Sequence, residues 1–422
     1  MAGRGGELRS FAQDARHVVI ASVLVGLATG LVVAGCDWLT VNVLLDWLRG
    51  LPLWLMAIGP CVGLLLAALS LRYLSNRASA GLADTWLQRF HDPDHDMNVR
   101  EAPGGVLASI VTIGFGGALG LEGLSMYAGG AIGTAVQQRF RRLFHPVDAK
   151  LLMTAGAAAG VAAIFKAPAT GALFALEVPY RNDFATRKLI PALVAAASGY
   201  IVYAAFYGTT PLFPVLGHPG FDATTLLGAV ALGLIAGIGA RLFAAGLREA
   251  KRLRDRLPVI PRIIVAGAAL GGLFVLGRLL TGRSLMLGPG YDCITWALDP
   301  HRAIPAVLAL LVLRCLATII TTGGGGAGGL FIPLVIGGAL LGRAFGGVVH
   351  ELNDTLFLVL GMSAFLGAGY RVPLAGVMFV AETTGRATFV VPALIAAVAA
   401  DLVMGNASVT AYQLAHRPST GP

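Results

Sequence analysis

Charge is what this chain has least of. Asp, Glu, Lys and Arg together make up 13% of its 422 residues, about half the share found in soluble domains. Val18–Cys36, Leu51–Leu71, Leu189–Phe213 and Thr224–Ala240 contain no charged residue at all. Each is close to or above the ~20 apolar residues that one helical bilayer crossing needs. A soluble fold would require amphipathic helices with a polar face, and the sequence offers few. The shortage therefore excludes a soluble globular domain and leaves an all-α polytopic membrane protein.

Cysteine is also rare. Cys36, Cys61, Cys293 and Cys315 stand far apart without C-x-x-C spacing, so they read as small hydrophobes rather than metal ligands or a disulfide framework. His91, Asp92, Asp94, His95 and Asp96 lie close together, but no helical spacing fixes their geometry, and a solvated loop is expected there. The polar stretch Arg72–Arg100 that holds them is too charged to span, so it lies at a membrane face or lines a vestibule. No metal or cofactor is expected, and the chain reads as a transporter, not an enzyme. Met1–Gln13 is polar, carries Arg4 and Arg9, and has no cleavable signal. The net charge of +9 gathers in loops, chiefly at Arg248, Lys251, Arg252, Arg254, Arg256 and Arg262. The positive-inside rule makes that loop cytoplasmic, so the excess does not signal nucleic acid.

Glycine, by contrast, is abundant, with 57 residues. The run Gly116–Ala135 is apolar and glycine-laden, with Glu122 as its one ionisable residue. A carboxylate in such a setting is expensive and marks a functional site, while a glycine lets the backbone approach a ligand or a neighbouring helix. The pattern returns at Gly325–Ala344. Gly117, Ala118, Gly120, Leu121, Gly129, Gly133 and Ala135 meet Gly326, Ala327, Gly329, Leu330, Gly338, Gly342 and Ala344, each pair 209 residues apart (326 − 117), and Phe331 falls where Glu122 was. A second block, Lys166 to Glu177, answers Arg371 to Glu382 at a separation of 205 (371 − 166). It places a cation, Pro, Gly, Phe and Glu in the same order twice. The chain is an internal duplication, as many secondary transporters are.

Unpaired backbone in a bilayer is tolerated only where protein or a water-filled cavity covers it. The glycine tracts Gly114–Gly120 and Gly323–Gly329 are therefore expected to interrupt helices inside the bundle. A helix starting after such a break directs free N–H groups and about half a positive charge at the cavity, which suits an anion. Two repeats bring two such ends together. Glu122, at the start of its helix, is placed either to occupy the anion's position until protonated or to cap the helix as a purely structural acid.

These residues resemble the CLC family of chloride channels and proton-coupled chloride antiporters over nearly the whole chain. Gly120-Leu121-Glu122-Gly123-Leu124 is similar to the family's G-(K/R)-E-G-P motif, and Glu122 falls on its gating glutamate. Gly329-Leu330-Phe331-Ile332-Pro333 matches G-x-F-x-P in full, and Gly156–Glu177 resembles the stretch that follows the gate. The resemblance implies a CLC-type fold of two inverted-topology repeats with interrupted, tilted helices. It implies a homodimer with one pore per subunit, and anion contacts from Gly123, Gly329 and the amides of Leu330 and Phe331. The boundaries it suggests are 1–17 for a cytoplasmic N-terminal segment, 18–217 and 218–416 for the repeats, and 417–422 for a tail, with no CBS domains. Location in the inner cell membrane follows, multi-pass, with both termini cytoplasmic.

The chain also departs from the family pattern. Its gate motif has Leu121 and Leu124 in place of the basic residue and the proline. The G-S-G-I-P segment falls at Ser79-Ala80-Gly81-Leu82-Ala83, which puts Ala80 at the serine, although a shift of one restores Ser79. The central tyrosine aligns with Thr410, with Tyr412 two residues on. Val178 replaces the internal proton-transfer glutamate, a change seen in channel members and in some coupled ones. Lys166, where the family commonly has Asn, stands either beside the pathway or as a snorkelling or structural lysine. The modes left open are chloride/proton exchange, passive chloride conduction and fluoride export. Transport of an organic acid and a structural membrane role come from outside the family's chemistry.

Overall fold

Residues inside lipid must satisfy their own backbone polar groups, and continuous apolar sequence does so as helix. The computed structural model describes residues 2–75, 79–140, 150–213, 222–349 and 354–416, with side chains from Arg16 onward and excepting that of Asp354. The first repeat contains α1 (Ala2–Asp37), prolonged by a π-helical stretch, Trp38–Leu45, into α2 (Asp46–Arg49). It continues with α3 (Leu53–Leu74), α4 (Leu82–His91), α5 (Ala102–Gly114), α6 (Glu122–Arg139), α7 (Leu151–Phe165), α8 (Pro168–Glu177) and α9 (Leu189–Tyr207). The second contains α10 (Ala223–Arg256), α11 (Val259–Thr281), α12 (Tyr291–Ala297), α13 (Ile304–Gly324), α14 (Phe331–Val348), α15 (Asp354–Tyr370), α16 (Pro373–Thr384) and α17 (Val390–Met404). Among the described residues there is no strand, only isolated bridges, and eight helical segments are long and apolar enough to cross a membrane.

The order of elements repeats. Helix α1 packs on α9 as α10 packs on α17, and α6 on α7 as α14 on α15. Small residues set those contacts. A Cβ on Gly129 would strike the Gly156 carbonyl and one on Gly133 the Leu152 carbonyl; in the second repeat Gly338 and Gly342 stand in the same way against Gly361 and Phe357. The duplicated glycines are thus the places where the helix pairs approach backbone to backbone. The loops after α7 and α15 are also copies. Lys166 (φ 53°) and Arg371 (φ 60°) both adopt the left-handed conformation, which halts each helix before the proline that starts the next.

The stretch Arg248–Arg262 is not a loop throughout. Helix α10 continues to Arg256, and α11 starts at Val259. Charge ends the lipid-compatible span but not the helix, because Ala, Leu, Arg, Glu and Lys are strong helix formers, and Arg252 pairs with Glu249 at 3.4 Å one turn apart. Among the described residues no group of three or more His, Cys, Asp or Glu could hold a metal. Asp92 instead closes a local turn by accepting from the Asp94 and His95 amides. The proposed junction at His218 lies outside the described residues, and Asp222 beside it caps α10 through the Thr225 amide at 2.7 Å.

Candidate functional site

Both glycine tracts break their helices. Residues 115–121 separate α5 from α6, and 325–330 separate α13 from α14. The breaks meet at the centre, where Gly120 and Gly329 exchange two backbone hydrogen bonds, 2.9 Å from the Gly120 amide and 2.8 Å from the Gly329 amide. Threonines stitch the flanks reciprocally. Thr321 Oγ1 accepts from the Ala118 amide at 3.2 Å, and Thr112 Oγ1 accepts from the Ala327 amide at 3.1 Å. Each pair of equivalents is 209 residues apart, so the same local chemistry is used once by each repeat.

Glu122 is the exception to that symmetry. It begins α6, is 2% exposed, and reaches across the break to α14. There Oε1 accepts from the Phe331 amide at 2.5 Å, while Oε2 is buried without a hydrogen-bond partner. The carboxylate thus lies on a helix N-terminus, where backbone amides and the helix dipole favour a negative charge. A buried acceptor left unsatisfied costs about 1–3 kcal/mol; Oε2 makes no hydrogen bond, while the Ile332 amide and Glu122's own amide also face the carboxylate. Around it Gly123 packs against Gly328 and Gly329, and a side chain on Gly329 would collide with the Glu122 carboxylate. Phe331, the repeat counterpart of Glu122, instead fills an aromatic cluster, with ring centroids 4.4 Å from Phe165, 4.9 Å from Phe379 and 5.2 Å from Phe174.

Below this point a cavity of about 30 Å³ is lined by Ala80, Asp84, Lys251, Leu330, Tyr370 and Thr410, among others. That is room for a water-sized species. Leu330 and Tyr370 share the cavity wall, and the Phe331 amide already has an oxygen partner in Glu122. Ala80 is on the cavity wall, while Ser79 Oγ, outside the cavity, accepts from the Gly81 amide at 3.2 Å. Thr410 is on the wall too, and its hydroxyl donates to Asp84 at 2.5 Å. Tyr412 is 41% exposed and off the cavity. Val178 is buried and offers only its carbonyl, to Gln413 Nε2 at 2.9 Å. Lys166 lies apart from this cavity as a half-buried residue at the end of α7.

Asp84, Lys251, Arg254, Thr322 and Tyr370 are polar residues on that wall that the sequence reading did not assign to the site. Tyr370 had a readable signal, because it occupies the repeat position of Phe165, 205 residues on, and adds a hydroxyl there. Asp84 and Lys251 had none, since 167 residues separate them.

A second pair of carboxylates sits at the α8 and α16 breaks. Glu177 accepts from the Leu374 and Ala375 amides at 3.1 and 2.9 Å. Glu382 accepts from the Ala169 and Thr170 amides at 2.9 and 2.7 Å and from the Thr170 hydroxyl at 2.6 Å. Glu177 of the first repeat caps α16 of the second, and Glu382 of the second caps α8 of the first.

Inverted repeats, helices broken within the bundle, and a carboxylate lying on a helix start are the features of a membrane ion-transport protein. The family described as voltage gated chloride channel matches residues 62–405, and the chain belongs to it. A similar protein is the H(+)/Cl(-) exchange transporter ClcA of Yersinia pestis bv. Antiqua (strain Angola), 27% identical over 407 residues, 92% of this chain and 84% of that one. ClcA of Citrobacter koseri is 31% identical over 303 residues, 69% of this chain and 63% of its own. Among solved structures, a CLC-type fluoride/proton antiporter superposes with a TM-score of 0.84 at 23% identity, covering 96% of this chain and 98% of that one. A slow cyanobacterial Cl-/H+ antiporter gives 0.80 at 22% identity, covering 92% and 94%. These last likenesses concern the fold.

Proposed function

We propose that this protein carries chloride across the cell membrane and that Glu122 is its movable gate. The observation that carries the reading is the half-held carboxylate, with Oε1 on the Phe331 amide at 2.5 Å and Oε2 unpartnered. A negative side chain already occupies a position that suits a small anion. Protonation removes its charge and weakens its hold on the amide, because charge-assisted hydrogen bonds are roughly twice as strong as neutral ones. The acid then swings away, and chloride takes the amides of Leu330 and Phe331, flanked by Gly123 and Gly329, with the helix dipole supplying the positive field. No full positive charge is needed at the centre, so the ion is held without being trapped.

The basic end of α10 faces the cytoplasm by the positive-inside rule, which makes the Ala80–Thr410 cavity the inner mouth and leaves both termini inside. Chloride and protons are the cargo, the bilayer is the solvent, and a second copy of the chain completes the homodimer. The relatives named for H(+)/Cl(-) exchange support proton coupling here, and Glu122, on the Phe331 amide, is the acid that carries the proton. Val178 supplies no internal acid, so a proton reaching Glu122 from the inside uses another route.

The test is a flux experiment on protein reconstituted in liposomes, recording anion efflux and internal pH together, with and without a potassium ionophore. Chloride efflux accompanied by proton movement against its gradient is the expected result. Chloride efflux with no proton movement assigns passive conduction, and a faster run with fluoride than with chloride assigns fluoride export. No anion movement in either salt overturns the transport reading.

A further inference from the structure

We propose that Asp84 is a second, inner carboxylate plug, holding the Lys251 ammonium and the Thr410 hydroxyl in the place of the transported anion. The inference rests on the anion-transport reading and assigns the cavity beneath Glu122 a gate of its own.

The geometry is built from three distant parts of the chain. Asp84 lies in the first turn of α4, after Gly81, and its carboxylate folds back so closely that a Cβ on Gly81 would come within 3.1 Å of Oδ2. Lys251 Nζ, from the helical extension of α10, donates to Asp84 Oδ2 at 2.5 Å, and Thr410 Oγ1 donates to Oδ1 at 2.5 Å. All three line the cavity together with Leu330 and Tyr370. An ammonium and a hydroxyl aimed at one point are the donors a small anion would use, and a carboxylate satisfies both at once. Glu122 stands on the Phe331 amide in the same relation. Ala80 has no hydroxyl to offer; Arg254 and Thr322 also line the cavity, and the Lys251 and Thr410 donors are the ones that Asp84 occupies. Lys251 also donates to the Val409 carbonyl at 3.3 Å, a bond that keeps the ammonium at the cavity when the carboxylate leaves.

An Asp84 that only pinned α4 to α10 and to the C-terminal segment would make a different prediction, and a double-mutant cycle separates the two. Chloride binding to the purified full-length protein is measured by titration calorimetry for wild type, Asp84→Asn, Thr410→Val and the double variant, with chloride efflux from liposomes in parallel. Asp84→Asn frees the donors and is expected to raise chloride affinity about tenfold. Thr410→Val is expected to lower affinity several-fold in the Asp84→Asn background. It should change little in the wild-type background, where the same hydroxyl serves plug and anion alike. Asp84→Ser, which also removes the charge, must behave as Asp84→Asn does, and it covers the case in which one variant fails to fold. Lower or unchanged affinity in variants that elute and melt like wild type overturns the proposal and leaves the pinning role. Wild type that moves no anion in liposomes overturns the transport reading alone, provided that Asp84→Asn still binds chloride more tightly. Absence of binding in all four proteins overturns both.

Discussion

Glu177 and Glu382 lie on the N-termini of broken helices, and so does Glu122, but the two arrangements differ. Glu177 and Glu382 are exchanged between repeats, and in each both carboxylate oxygens take backbone amides. Nothing is left over at either end, and these acids behave as fixed caps. Glu122 is given by one repeat only. Its counterpart is Phe331, and one of its oxygens is buried without a partner. An internal duplication first makes every element twice; a function that needs one movable charge requires that one copy be changed. The comparison therefore sorts the three acids by counting satisfied oxygens, and burial does not follow the same division, since Glu122 and Glu177 are buried and Glu382 is half-buried.

The sharpest way to break the comparison is to neutralise each acid in turn. Glu122→Gln is expected to lower chloride-driven proton movement at least a hundredfold, on the order of what loss of a general acid costs, while anion flux persists. Glu177→Gln and Glu382→Gln are expected to keep the wild-type ratio of protons to chloride. Loss of coupling in either folded variant would erase the distinction. Next in size is Glu382→Ala, which strips three hydrogen bonds from the α8 start and should destabilise the protein by about 3 kcal/mol, read as a lower unfolding midpoint in detergent. Glu177→Ala strips two, and about 2 kcal/mol is expected in the same assay. A larger loss for Glu177 than for Glu382 would show that something besides cap bonds is at stake. The smallest effect belongs to Phe331→Leu. It thins the aromatic cluster for about 1 kcal/mol and leaves the amide in place, so anion flux should stay within twofold of wild type. A collapse of flux would move the role of Phe331 from its backbone to its ring.

What could be read from the sequence was whatever the duplication wrote twice. Gly129 and Gly133, with Gly338 and Gly342, announced the close helix pairs, and the Lys166 and Arg371 blocks announced the second set of breaks. The lone Glu122 stood out because its copy is Phe331. Features written once and assembled by folding were out of reach. Asp84, Lys251 and Thr410 meet across 167 and 326 residues, with no periodicity or spacing to join them. The stretch Arg248–Arg256 misled for another reason. Hydropathy reports where lipid ends, and α10 runs on past that level as an ordinary charged helix. The register near Ser79 could not be fixed by pattern either, because Ser and Ala are both small; the Gly81 amide that takes Ser79 Oγ is a tertiary fact.

The paired backbone bonds between Gly120 and Gly329 carry a mechanical consequence. They clasp the two halves of the molecule directly beside Glu122, with the threonine bonds of Thr112 and Thr321 locking the same joint on either flank. Halves fastened at their fulcrum cannot rock apart without exposing four backbone groups in a dry interior, at several kcal/mol. On the proposed reading, access to one face and then the other comes from the swing of individual side chains around this joint. An ion crossing this protein moves past a lever a few ångströms long, and the walls stay where they are.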